Sequence, residues 1–188
     1  MPGTVTPAQM FDHELNAVKG WPSPYAVDKV KTIATGEPTI YAGRVVHIDA
    51  TLDQYKLGCP YDSGDTYAPM PIFAWPNSTD FDVSSDVGNI SGGHLVGLVA
   101  VGAYELETTE FVGVGFNPGM PLVCDQGHVS AANLGKVKVG SLAALSATDD
   151  EDLVVGIVSD AGPLTNEWSK QMVRFWPWYL PLGTVTAS

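Results

Sequence analysis

The chain predicts a mainly β protein: a sandwich or small barrel-like body, built as a degenerate tandem repeat, with a short helix and an extended arm at its N-terminus. Three observations carry that reading. From residue 39 onward, short runs rich in Val, Ile, Thr and aromatics recur between clusters of Gly, Pro, Asn and Asp. The 20 glycines and 14 prolines supply the turn chemistry that so many short strands need. Past the N-terminal segment, apolar positions almost never recur at helical spacing, apart from a turn around Leu142 to Leu145.

Residues 1–38 read as helix and arm. Thr6-Pro7-Ala8-Gln9 is a helix start, with a capping hydroxyl, proline at the first helical position and glutamine placed to close a capping box. Phe11, Leu15 and Val18 then form one apolar stripe and Gly20 is a stop, which predicts a helix over about residues 7–19. Trp21-Pro22-Ser23-Pro24-Tyr25 follows, and its two prolines impose an extended path. That segment either straps its own domain or lies along another molecule.

Residues 39–188 read as the β body. A strand over 27–34 precedes it, ending at Gly36-Glu37-Pro38. The predicted strands of the body are Thr39 to Ile48, Gln54 to Leu57, Met70 to Trp75, Leu95 to Ala100, Tyr104 to Val112, Pro121 to Cys124, Lys136 to Val139, Leu153 to Ser159 and Gln171 to Trp176. Within them, Gly43-Arg44-Val45-Val46-His47-Ile48-Asp49 matches Gly119-Met120-Pro121-Leu122-Val123-Cys124-Asp125 in its glycine, its aliphatic residue three on and its Asp six on. Each is followed by a Leu-Gly pair (Leu57-Gly58, Leu134-Gly135) and an apolar strand, which suggests repeat units 39–113 and 114–183. Prolines at 177 and 181 argue that the last aromatic run is not a central strand.

At 188 residues the chain is long enough to bury about 70% of its unfolded surface in a core, so it needs no staples. Cys59 and Cys124 are too few for a disulfide framework; buried or free thiols are expected, with one bridge between them as the alternative. A formal charge of −12, from 21 acidic against nine basic residues, disfavours nucleic acid and anionic membranes as partners. The longest apolar run, Leu95 to Tyr104, falls far short of the roughly 20 residues of a membrane span. No basic segment followed by an apolar core opens the chain, so no secretory signal is expected.

Chemistry-bearing groups are sparse. Asp80, Asp82 and Asp86 with Ser84 and Ser85 offer oxygen ligands but lack the glycine and terminal glutamate of a calcium loop, so a solvated loop is expected and no metal. Asp149-Asp150-Glu151-Asp152 reads as a charge run facing water. His13, His47, His94 and His128 show no zinc spacing. A cysteine nucleophile with a histidine base is the enzymatic rival, without a family signature around either thiol. No phosphate loop, dinucleotide fingerprint or serine elbow is present, and no cofactor is expected. What stands out is the C-terminal run Phe175-Trp176-Pro177-Trp178-Tyr179, since aromatics in a proline-braced segment anchor interfaces. The same aromatics fit a closing edge strand or a carbohydrate platform.

The sequence over residues 40–180 resembles tailed-bacteriophage capsid decoration, or cement, proteins. The likeness rests on residues 43–49, Tyr55-Lys56-Leu57-Gly58, Met70-Pro71-Ile72-Phe73-Ala74-Trp75, and Val154-Val155-Gly156-Ile157-Val158-Ser159-Asp160 ahead of Phe175-Trp176-Pro177. The resemblance implies a β-tumbler-like body, often a homotrimer or homodimer, located in the virion on the outside of the capsid and bound at contacts between major capsid protein subunits, where it stabilises the expanded head. It also implies an N-terminal arm that reaches the shell and assembly in the host cytoplasm. The chain is longer than the smallest members, and the family has no shared active-site residues to carry over. The expected partner contacts are Phe11, Leu15, Trp21 and Tyr25 of the arm, with Trp176, Trp178 and Tyr179 as a second contact or a self-association patch. The binding-module rival uses Trp168, Trp176, Trp178 and Tyr179 to hold sugars.

Overall fold

A computed structural model describes residues 15–19, 40–49, 54–59, 72–75, 97–99, 105–127, 129–140, 154–165 and 169–180. They form a mainly β structure of twelve strands and one short 3-10 turn, Ala131–Asn133. The strands are β1 Leu15–Lys19, β2 Val45–Asp49, β3 Gln54–Leu57, β4 Ile72–Trp75, β5 Gly97–Val99, β6 Glu105–Thr108, β7 Phe111–Val112, β8 Pro121–Cys124, β9 Val137–Val139, β10 Val154–Val158, β11 Leu164–Thr165 and β12 Gln171–Leu180. Two sheets result. The larger runs β1-β6-β12-β10-β8-β9-β7 with β11 beside β12, and the smaller runs β3-β2-β4-β5. Both strand paths have two ends, so among the described residues these are layers and not a closed barrel. No helix there is long and apolar enough to cross a membrane.

The smaller sheet is covered on both faces because neighbouring residues of its strands are apolar. Val45 and Phe73 join the main core with Leu106, Phe116, Leu122, Val158, Val173 and Phe175 of the larger sheet and its loops. Val46 and Ile72, one position away, point to a second cluster with Ile40, Tyr55, Leu57 and Ala74. Phe73 and Phe175 meet between the sheets with ring centroids 5.0 Å apart. Gly156 makes room for that contact, since a Cβ there would lie 2.9 Å from the Phe175 ring and 3.0 Å from the Trp176 carbonyl.

The smaller sheet and the middle of the larger one share a hydrogen-bonding plan. Gly43 and Gly119 take φ of 90° and 86°, the left-handed region that glycine enters without strain. Each closes the same turn: Arg44 N–H donates to Tyr41 O and Met120 N–H to Asn117 O, both at 3.1 Å, while the two glycine N–H groups reach Ala74 O and Val158 O at 2.8 Å. The registers that follow also correspond. Val46 faces Leu57 and Ile72 as Leu122 faces Val139 and Gly156, and Phe73 faces Val99 as Ile157 faces Trp176. Strands β3-β2-β4-β5 therefore correspond to β9-β8-β10-β12. The Leu-Gly pairs do not correspond: Leu57-Gly58 stands at the end of β3, whereas Leu134-Gly135 precedes β9.

Several expectations change. Residues 15–19 are a strand and not part of a helix, because β6 offers Leu15, Asn16 and Ala17 an antiparallel partner, and Leu15 is 1% exposed in the main core. Packing overrides a helix preference worth only tenths of a kcal/mol per residue. The N-terminal region is therefore not wholly an arm, since its β1 completes the larger sheet. Pro177 lies in a central strand after all. β12 spends one residue more than β10 between the pairs Gly156 with Pro177 and Val154 with Leu180, and its partners on β6 end at Phe175, so the missing N–H falls at a bulge. Finally, Tyr104 to Val112 breaks into β6 and β7, because Glu110 N–H turns to the Thr108 hydroxyl.

Candidate functional site: the outer face of the larger sheet

Strand alternation puts Phe175 in the core and Arg174 and Trp176 on the opposite face. Trp176 is 38% exposed. Its cross-strand partner Ile157, itself opposite Pro121, lies beside it on that face. By the shared register this face of the larger sheet corresponds to the Val45 and Phe73 face of the smaller one, which is the face covered by the larger sheet. The larger sheet carries charges here instead. Arg174 Nε donates to Glu107 Oε2 at 3.0 Å and its Nη1 lies 3.5 Å from Asp160, while Lys19 Nζ sits 3.0 Å from Glu105 Oε2 and 5.9 Å from the centre of the Trp176 ring. These ion pairs lie beside Trp176 on the face of the larger sheet turned away from the main core.

Glu105 is the buried member of the set. Its Lys19 contact is a charge contact whose geometry falls short of a hydrogen bond. Burial pushes its carboxyl up, but Ser159 and Lys19 beside it and the charge of Arg174 outweigh that and hold it below the usual carboxylate range. A carboxyl that binds its proton less readily folded than unfolded contributes stability above its unfolded value, and this is lost as pH falls through the folded one. Lowering the pH from 6 to below about 4 is therefore expected to reduce the melting temperature more for the parent chain than for Glu105→Gln, measured by circular dichroism. Identical slopes would show that the ionised Glu105 carboxylate contributes nothing to stability. Glu107 likewise holds Arg174 further into its protonated form.

The expected contact residues divide. Trp176 is exposed on this face. Leu15 is packed in the core and is withdrawn as a contact, because β1 needs it to fill the space beside β6. Trp178 and Tyr179 lie on β12, with side chains outside the described residues, as are Phe11, Trp21, Tyr25 and Trp168. His47 is buried with Nδ1 2.9 Å from Gly58 O, and His13, His94, His128 and the Asp80 to Asp86 loop fall outside the described residues. No group of residues suited to a metal ion occurs among the described residues.

The cysteine-nucleophile reading meets two obstacles. Cys59 and Cys124 are buried thiols. Burial and the neighbouring Cys124 push the Cys59 thiol far up, and burial pushes Cys124 up to about 12, so neither supplies a thiolate at neutral pH.

Two arrangements escaped the sequence reading. Arg44 Nε donates to Glu110 Oε2 at 2.7 Å, with both side chains buried, while its Nη atoms donate to Leu134 O and Ala132 O at 3.1 and 3.2 Å and its guanidinium lies 4.9 Å from the Tyr41 ring centre. The Gln126 amide joins the two cysteine segments. The one signal for the first was an arginine inside an apolar strand phrase, Gly43-Arg44-Val45-Val46. No family model, curated protein or solved structure matches the chain.

Proposed function

We propose that this chain is a structural virion protein that binds the outside of a phage capsid at contacts between major capsid subunits and stabilises the expanded head. The observation that supports it is Trp176: a large aromatic exposed on a sheet face beside the charged groups of Arg174, Glu107 and Lys19, held by a strand paired on both sides, which presents it with little conformational entropy left to lose. The sequence resemblance to decoration proteins supplies the kind of partner. A ligand that binds only the mature lattice stabilises it by RT ln(1 + [L]/Kd), about 2.7 kcal/mol per site at a hundredfold excess over Kd. Repeated over a shell, modest affinity resists internal pressure.

Co-sedimentation with bare expanded capsids tests this. Trp176→Ala is expected to weaken binding about 30-fold, the effect of losing a central aromatic anchor, with unchanged circular dichroism. Retention of full affinity would remove Trp176 from the interface, and absence of binding by the parent chain would end the capsid reading. The arm is tested separately by deleting residues 1–13, since a longer deletion would remove β1 and with it Leu15 from the core. The sugar-binding rival also uses Trp176. Glycan-array binding by the parent chain that Trp176→Ala abolishes would favour it.

A further inference from the structure

We propose that Cys59 and Cys124 are a latent disulfide site: folded in the presence of a low-molecular-weight disulfide, the chain closes a Cys59–Cys124 bridge that ties the end of β3 in the smaller sheet to β8 in the larger.

The geometry comes from one side chain. Gln126 Nε2 donates to Cys59 O at 2.9 Å and to Cys124 O at 3.4 Å, while its Oε1 accepts from Cys59 N–H at 3.3 Å. A single amide thus holds the main chain of Cys59, just past β3 of the smaller sheet, beside that of Cys124 at the end of β8 in the larger. Both thiols lie in the same apolar cluster at 0% exposure. Gly58 permits the approach. At its φ of 85° a Cβ would sit 2.8 Å from Leu134 Cδ1 and 3.1 Å from Gln126 Oε1, wedging apart the segments that bring Cys59 to Cys124.

The chemistry is thiol–disulfide exchange with the small disulfide as oxidant. One cysteine thiolate attacks the oxidant's S–S bond, giving a mixed disulfide and releasing one small thiol; the second cysteine sulfur then displaces the other. Two protein thiols are oxidised, one small disulfide is reduced, and the two small thiols carry away the two protons. Since both thiols are buried and protonated in the closed fold, exchange runs during folding or through local opening. Once formed, the bridge closes a loop of about 65 residues, which restricts the unfolded chain most.

The test uses the full chain equilibrated with mixtures of reduced and oxidised glutathione, once in native buffer after refolding and once in strong denaturant. Samples are quenched by alkylation and read by intact mass and peptide mapping. The expected native product is monomeric, about 2 Da lighter than the dithiol, and yields the peptide joining residues 59 and 124. Its equilibrium constant with glutathione should exceed that in denaturant about 100-fold, and by linkage its melting temperature should rise about 8 °C. A constant equal to or below that in denaturant would overturn the proposal. So would two alkylatable thiols after oxidative refolding, or products limited to glutathione adducts and intermolecular dimers. Cys59→Ala and Cys124→Ala serve only to confirm the peptide map, so the outcome does not depend on whether either variant folds.

Discussion

Arg44→Ala is expected to destabilise the chain by about 3–5 kcal/mol, because it leaves a buried carboxylate, Glu110, without the guanidinium that balances its charge. The loss is compounded by two main-chain carbonyls, Leu134 O and Ala132 O, that Arg44 also serves. Urea denaturation followed by tryptophan fluorescence measures it. Replacing both partners, Arg44→Met with Glu110→Leu, should recover much of the loss, since the cost lies in the stranded charge and not in the pair itself. A single mutant costing less than about 1 kcal/mol would show that water reaches Glu110 and that the clamp is not sealed.

Phe175→Ala should cost a similar amount, about 3–5 kcal/mol, by emptying the space between the two sheets. Phe175→Leu, which keeps most of the volume, should cost far less. The partner across the gap sharpens this. Phe73→Ala and Phe175→Ala should be non-additive by about 0.5–1.5 kcal/mol, because each removes the same ring contact. Additive losses would mean that the rings fill neighbouring spaces without interacting.

The strand runs Gln54–Leu57 and Pro121–Cys124 are found with the bounds their sequence suggests, because each is a short β-prone phrase closed by a turn residue. The paired glycines Gly43 and Gly119 were visible for the same reason: a Gly-led turn is written into four consecutive residues. The stripe Phe11, Leu15, Val18 misled because three apolar residues at helical spacing also contain a strand face, and Leu15 with Ala17 on that face meets β6. Pro177 misled because the rule against central prolines assumes an unbroken ladder, and here the ladder slips by one residue beside it. The candidate face was half legible. Trp176 could be singled out as an aromatic in a proline-braced run, but Lys19, Glu105 and Asp160 come from three other segments that sequence reading places nowhere near it.

By itself the sequence determined the mainly β class, the places where strands stop, and the chemistry of the residues that carry charge and thiol. Those depend on nearest neighbours: side-chain alternation, a glycine at a left-handed turn, a proline that cannot donate. Only the tertiary structure decided which strands share a sheet, that Leu15 belongs to the core, that Arg44 is matched by Glu110, and that Cys59 lies beside Cys124. Each of those choices joins residues dozens of positions apart, and local pattern carries no register between them. The register is set by which pairing buries the most apolar surface while leaving no charge stranded inside.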